Sequence, residues 1–177
     1  MDAPTRMHDQ RDADEALVAL YTTHYRSLVR MAALLLRDVP AAEDVVQDAF
    51  VAMHGSWRRL RDTDSALAYL RQAVVNRSRS RLRHLKVVER KAPAPMPDAA
   101  SAEHSAFLAL ERGEVVAALG RLPRRQREVL VLRYYSDLSE AQIAATLGIS
   151  AGAVKSHASR GIAALRDTLE RLHESRP

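Results

Sequence analysis

Cysteine is absent from this chain of 177 residues. That excludes disulfide scaffolds, thiol catalysis, Cys-ligated zinc and direct thiol redox sensing. Glycine is scarce, with six residues, and Leu, Ala, Arg and Glu dominate, the vocabulary of helices. Aromatic residues are 5% of the chain, too few for recognition through many stacked rings. No long hydrophobic run exists. The longest, Met31 to Leu36, falls far short of the roughly 20 apolar residues that cross a bilayer. Met1 to Glu15 is acidic and polar and lacks the apolar core of a signal peptide. The expectation is a cytoplasmic protein with no membrane insertion.

The signatures of enzymes are missing as well. There is no P-loop, Gly-rich dinucleotide turn, HExxH or Ser-centred elbow. The seven histidines, at 8, 24, 54, 84, 104, 157 and 173, show no metal-ligand spacing. Glu43 and Asp44 are adjacent on a helix and so diverge, which suits a protein contact better than acid–base chemistry. No catalytic residue, metal or cofactor is expected.

What is present points toward nucleic acid. Hydrophobic residues are 47% of the chain, enough to build packed cores. The net charge is +5, and only Lys86, Lys91 and Lys155 among the 27 basic residues are lysine. Arginine offers a planar fork of donors suited to phosphates and guanine edges, although a GC-rich genome would also raise Arg and Ala.

The pattern along the chain predicts an all-α fold: two small helical domains joined by an extended Pro-rich linker. Residues 1–13 are expected as a disordered tail, 14–91 as the first domain, 92–104 as the linker and 105–177 as the second domain. Asp14 to Arg37 reads as a helix, with Leu17, Leu20, Tyr21, His24, Leu28, Ala32, Leu35 and Leu36 at spacings of three and four. Asp38-Val39-Pro40 breaks it, and Pro40 suits the first turn of the next helix. That helix buries Ala42, Val45, Val46, Ala49, Phe50, Met53 and Trp57, and turns Glu43, Asp44, Gln47, Asp48 and His54 outward. A connection from Arg58 to Ser65 follows, in which Thr63 or Ser65 can cap a third helix, about Ala66 to Arg90. At 100° per residue, Leu67, Leu70, Val74, Ser78, Leu82 and Leu85 share one face of it. Tyr69, Gln72, Asn76, Arg79, Arg83 and Lys86 share the other. Eight basic residues and one acid lie between Arg71 and Lys91. Charge of one sign at this density repels itself unless an anion lies against it. Ala92 to Ser101 holds three alternating prolines and forbids helix. Beyond it, helices are expected at Ala102 to Leu119 and Arg124 to Tyr135, separated by Gly120 to Pro123.

From Glu140 to Arg160 the chain reads EAQIAATLGISAGAVKSHASR, the skeleton of a helix-turn-helix. Ser139 caps the first helix, with Gln142 completing a capping box. Small Ala144 allows close approach of the two helices, and Gly148 permits a left-handed turn between them. Ile143, Leu147, Ile149 and Val154 form the wedge that fixes their crossing. Ser150 caps the second helix. Its exposed early positions, Ala151, Gly152, Lys155, Ser156, His157, Ser159 and Arg160, are those that reach base edges and phosphates in a major groove.

On these residues the chain resembles the extracytoplasmic-function sigma factors of bacteria, over roughly Ala16 to Leu172. The resemblance is carried by LPRRQREVLVLRYYSDLSEAQIAATLGISAGAVKSHASRGIAALR (Leu122 to Arg166), AEDVVQDAFVAM (Ala42 to Met53) and YLRQAVVNRSRSRLR (Tyr69 to Arg83). It implies a subunit that binds core RNA polymerase and directs promoter-specific initiation through −35 and −10 recognition and local DNA opening. Asp44, Gln47 and Asp48 would dock on the clamp helices of the largest polymerase subunit, and the second domain on the flap region. Arg58, Arg59, Arg61, Asp62, Thr63 and Asp64 would capture a −10 base, with Gln72, Asn76, Arg79 and Arg83 on the strand and its phosphates. Lys155, Ser156, His157, Ser159 and Arg160 would read the −35 duplex. An anti-sigma factor is a further candidate partner. The chain departs from the family in having Tyr69 where Trp is usual, Ser80 where Asp is frequent and His157 where Arg is common.

A helix-turn-helix transcription factor that is no sigma subunit would explain the second domain equally well. It leaves unexplained a first domain with its own acidic helix and its own basic helix.

Overall fold

The computed structural model describes residues 3–60, 62–89 and 113–174, and every element among them is helical. Helix α1 spans Ala3–Leu36, α2 Val39–Ser56 and α3 Thr63–Glu89, with one 3₁₀ turn, Trp57–Arg59, between α2 and α3. The second unit holds α4 (Glu114–Arg121), α5 (Arg124–Leu130), α6 (Glu140–Leu147) and α7 (Ala151–Glu174). The expected all-α class holds. The linker at 92–104 and the start of the helix expected from Ala102 lie outside the described residues.

Two expectations are corrected. The first helix begins at Ala3 and not at Asp14, so the stretch expected as a tail is helical from its third residue. Pro4 falls in the first turn, where its missing N–H costs nothing, and no later residue before Asp14 breaks a helix. The helix expected from Arg124 to Tyr135 is regular only to Leu130. Val131–Tyr135 then forms a wider π-helical turn, closed by Ser136 N–H donating to the Val131 carbonyl at 3.2 Å.

The break between α1 and α2 has two local causes. Arg37 takes a left-handed conformation, φ 63°, and its N–H donates back to Ala33 O at 2.7 Å, closing α1. Asp38 then caps α2, its Oδ1 accepting from Ala41 N–H at 3.0 Å, and Pro40 sits in the first turn as its fixed φ favours.

Helices α1, α2 and α3 pack together around Leu20, Leu28, Met31, Val46, Met53, Leu70 and Val74. The α2 stripe is buried as its spacing predicts, from Ala42 to Met53. Tyr21 departs from the α1 stripe. It remains 44% exposed and stacks on Tyr25 at 4.4 Å, with its edge toward Phe50 at 5.2 Å. In the second unit Val129, Leu132, Ile143, Leu147 and Val154 fill the centre.

The two units are in contact, which the reading of a tethered pair did not foresee. Their buried side chains form one continuous cluster. Helix α3 packs on α6, and α1 on α4, α5 and the π-turn. At the α1–α4 approach a Cβ on Gly120 would stand 2.9 Å from both Cδ and Nε of Arg37, so only glycine fits without moving that side chain.

Phe50 is 4% exposed and carries the ring contacts that join α1 to α2. Phe50→Ala is expected to lower stability by about 3–5 kcal/mol through the cavity it opens, measured by urea unfolding followed by circular dichroism. A loss near zero would place the ring outside the core.

Candidate nucleic-acid interface

The helix-turn-helix forms from local signals. Ser139 Oγ accepts from Gln142 N–H at 3.3 Å while Gln142 Oε1 accepts from Ser139 N–H at 2.9 Å, a reciprocal capping box. Gly148 ends α6 at φ 64°, and both it and Ile149 donate their N–H to Ala144 O. Ser150 Oγ accepts from Ala153 N–H at 3.1 Å and starts α7. Ile143, Leu147 and Val154 are buried between the two helices, with Ala158 beneath the next turn.

This packing leaves Ala151, Gly152, Lys155, Ser156, Ser159 and Arg160 exposed on the outer side of α7. Lys155 Nζ lies 3.7 Å from Glu140 Oε2. Arg160 folds back along its own helix, Nη2 donating to Ser156 Oγ at 2.9 Å and Nε to Ser156 O at 3.2 Å. Such exposed contacts are weak, ~0–1 kcal/mol, and yield readily to a better anion. His157 stands apart from the others. It is half-buried, with Nδ1 enclosed and unpartnered, so its ring faces inward more than a freely exposed reader would.

On α3 the buried face runs through Leu70, Val74 and Ser78, with Leu67, Leu82 and Leu85 at its margins, as the periodicity predicts. Gln72, Asn76 and Arg83 are exposed on the opposite side, and Arg83 Nη2 donates to Ser80 Oγ at 2.9 Å. Tyr69 was placed on that face by its spacing; it is half-buried and packs against the core, as Trp57 does. Arg79 also departs. Its Nε donates to Glu128 Oε1 at 2.8 Å and its Nη2 to Glu128 Oε2 at 2.9 Å, leaving the side chain 13% exposed. Arg71, half-buried on the same helix, has its guanidinium pushed below the ordinary range by burial.

Of the loop residues before α3, Arg58 and Arg59 stand in the 3₁₀ turn, and Arg61 lies outside the described residues. Thr63 and Asp64 are exposed in the first turn of α3. Asp62, and neither Thr63 nor Ser65, caps that helix, its Oδ1 accepting from Ser65 N–H at 2.7 Å. That backbone hydrogen bond, with a second from the Ser65 hydroxyl, holds the carboxyl below its usual range.

On α2, Glu43, Asp44, Gln47 and Asp48 are all exposed, two pairs one turn apart on one face. Gln47 also lines an apolar groove of about 550 Å³ between α1 and α2, floored by Leu17 and Phe50 and rimmed by Val18, Tyr21 and Val51. Among the described residues no three His, Asp or Glu side chains stand together as a metal site would require, and no helix is long and apolar enough to cross a membrane.

Comparison with known proteins assigns both halves. Residues 20–87 match the family described as Sigma-70 region 2, and residues 112–165 the one described as Sigma-70, region 4. The RNA polymerase sigma-E factor of Streptomyces avermitilis is 36% identical over 148 residues, covering 84% of this chain and 82% of its own. The ECF RNA polymerase sigma factor SigL of Mycobacterium tuberculosis is 35% identical over 170 residues, covering 93% and 95%. The chain belongs to the ECF sigma factors.

The fold agrees. CnrH, solved in complex with the cytosolic domain of CnrY, superimposes with a TM-score of 0.66 at 27% identity, covering 92% of this chain and 97% of CnrH. As a sigma factor the protein acts in promoter-specific transcription initiation by RNA polymerase, with α1 to α3 as its region 2 and α4 to α7 as its region 4.

Three features of this sigma factor were not singled out from its sequence. Glu128 gathers Arg79, Arg125 (3.1 Å) and Arg124 (3.7 Å) while only 3% exposed. A lone acid within an arginine-rich helix was the available signal. Glu140 takes both Arg133 (3.4 Å) and Lys155. Val18 and Val51, 63% and 73% exposed, form the lips of the groove; a valine facing away from each helix's apolar stripe marked them.

Because the Asp62 carboxyl is depressed in the folded state, its contribution to α3 is present above the unfolded value and is lost as pH falls through the folded one. On acid titration the Ser65 amide proton is expected to move upfield only below the ordinary aspartate range. A midpoint at or above that range would remove the cap.

Proposed function

We propose that this sigma factor divides promoter recognition between α7 and α3 while α2 docks on polymerase. The observation carrying the reading is the α7 face. Val154 and Ala158 are buried against region 4, and Lys155, Ser156, Ser159 and Arg160 project from the opposite side just beyond the Gly148 turn. An α-helix offered in this way fits the major groove, where polar side chains reach base edges and cations reach phosphates. Lys155 contacts phosphate in this reading, since a flexible ammonium is a point charge. Arg160 contacts a base edge, and His157 contributes from the inner margin.

The −10 element is taken by Arg58 to Asp64, through capture of one or two bases, and by Gln72, Asn76, Arg79 and Arg83 on the strand. With Tyr69 and Trp57 packed against the core, capture rests on the pocket and on phosphate contacts more than on ring stacking. Region 4 meets the polymerase flap, and Asp44, Gln47 and Asp48 meet the clamp helices of the largest subunit. The pairing of CnrH with a cytosolic protein domain supports a partner of the same kind here, an anti-sigma factor. The chain is read as a cytoplasmic, non-catalytic subunit that needs no cofactor.

Two experiments test these assignments. Holoenzyme carrying Lys155→Ala, His157→Ala or Arg160→Ala is titrated on a panel of single-base −35 changes across a salt series. Loss of a base contact costs about 1–3 kcal/mol and relaxes preference at one position. Loss of a phosphate contact weakens all sequences alike and lowers the salt slope by about one unit. Wild-type behaviour of all three variants would remove α7 as the reading helix. In the second, Asp44→Lys with Asp48→Lys is expected to weaken binding to core polymerase with the helical spectrum unchanged; equal affinity would move the docking face elsewhere.

A further inference from the structure

We propose that Glu128 is a latch that holds regions 2 and 4 together by occupying, in cis, the guanidinium that Arg79 would offer to the promoter strand. The proposal rests on the assignment of Arg79 to the −10 strand.

The geometry of the pair carries the argument. Arg79 gives Nε and Nη2 to the two oxygens of one carboxylate, at 2.8 and 2.9 Å, the bidentate arrangement that an arginine also makes with a phosphate. Its remaining nitrogen, Nη1, makes a long, exposed contact with Asn76 Oδ1 at 3.4 Å on the same helix, which leaves Asn76 open to solvent. Gln72, Asn76 and Arg83 remain open to solvent, while the Arg79 side chain is 13% exposed. An incoming phosphate therefore meets three of the four strand residues directly and the fourth only after Glu128 has left. Glu128 belongs to α5 of region 4, and α6 of the same region lies on α3. Separation of the two regions at this seam would carry Glu128 away and release Arg79.

The carboxylate is provided for when that happens. Arg125 and Arg124, on its own helix, hold Glu128 at 3.1 and 3.7 Å and stay with it when α3 departs. Arg79 exchanges one anion for another, carboxylate for phosphate. Neither partner is left as a bare buried charge, which is what makes a buried ion pair reversible instead of permanent. Burial also shields the pair from salt, so the latch stays closed at ordinary ionic strength.

The test uses the full chain. It has no cysteine of its own, so spin labels go only where Gly55→Cys on α2 and Asp167→Cys on α7 place them. Both sites are exposed, and nothing lies within 4 Å of a Cβ at position 55. Pulsed dipolar spectroscopy is expected to give one narrow label-to-label distance for the parent. Glu128→Gln and Arg79→Gln break the same pair from opposite sides, and each should lengthen and broaden that distance with helicity unchanged. Should Glu128→Gln unfold region 4, the Arg79→Gln chain decides alone, because there Glu128 keeps Arg124 and Arg125. A distance unchanged in the folded variants overturns the latch.

A second readout uses a short fluorescein-labelled single-stranded DNA of randomised sequence. If the open form is about a tenth of the parent molecules, Glu128→Gln gains about tenfold in apparent affinity; Arg79→Gln, which loses the contact itself, gains none. Opened distances without that gain overturn the masking role. Holoenzyme with Arg79→Gln that opens −10 DNA normally would sink the strand assignment alone, since the distances are measured without DNA.

Discussion

A carboxylate taken out of water must be answered by cations, and in this protein that demand decides how the two halves meet. Glu128 is 3% exposed and surrounded by three arginines, two from its own helix and one from α3. A carboxylate left without any cation in such a place would cost about 3–5 kcal/mol; with three arginines around it, the loss of one still leaves Glu128 answered by the other two. The whole stability of a small domain is about 5–15 kcal/mol. The Arg79–Glu128 pair is an ion pair joining region 2 to region 4 among the described residues, beside the apolar cluster that the two regions share.

Much of the fold was legible because its causes are local. The alternation of α2 between Ala42, Val45, Val46, Ala49 on one side and Glu43, Asp44, Gln47, Asp48 on the other is a property of one helix, and burial follows it residue by residue. The turn at Gly148 and the Ser139–Gln142 box likewise need only neighbours in sequence. Where several residues satisfy one local rule, sequence does not rank them: Asp62, Thr63 and Ser65 can all cap, and the charged one does. Tyr69 shows another limit. Angular position on a wheel says where a side chain leaves the helix, while a long ring can lean back onto the core. The seam between the halves was invisible for a different reason. Arg79 and Glu128 are 49 residues apart, and helical periodicity carries no information about pairing across a linker.

The two recognition surfaces therefore differ in physical state. On α7 the polar side chains are lightly held, Lys155 by Glu140 and Arg160 by Ser156, in solvent-exposed contacts. These positions are arranged before any ligand arrives and give little resistance to exchange. On α3 one cation is held in a desolvated bond and its neighbours Gln72 and Arg83 remain in water. One surface is presented; the other is partly withheld.

The close approach of Arg37 and Gly120 has a consequence for how this sequence can change over generations. The missing Cβ at position 120 is space taken by a side chain that leaves the end of α1, in the other half of the molecule. A larger residue at 120 meets only the far end of the exposed Arg37 side chain, which can turn aside into solvent. Substitution at 120 is thus expected to be absorbed by another rotamer at 37, without a compensating change of residue.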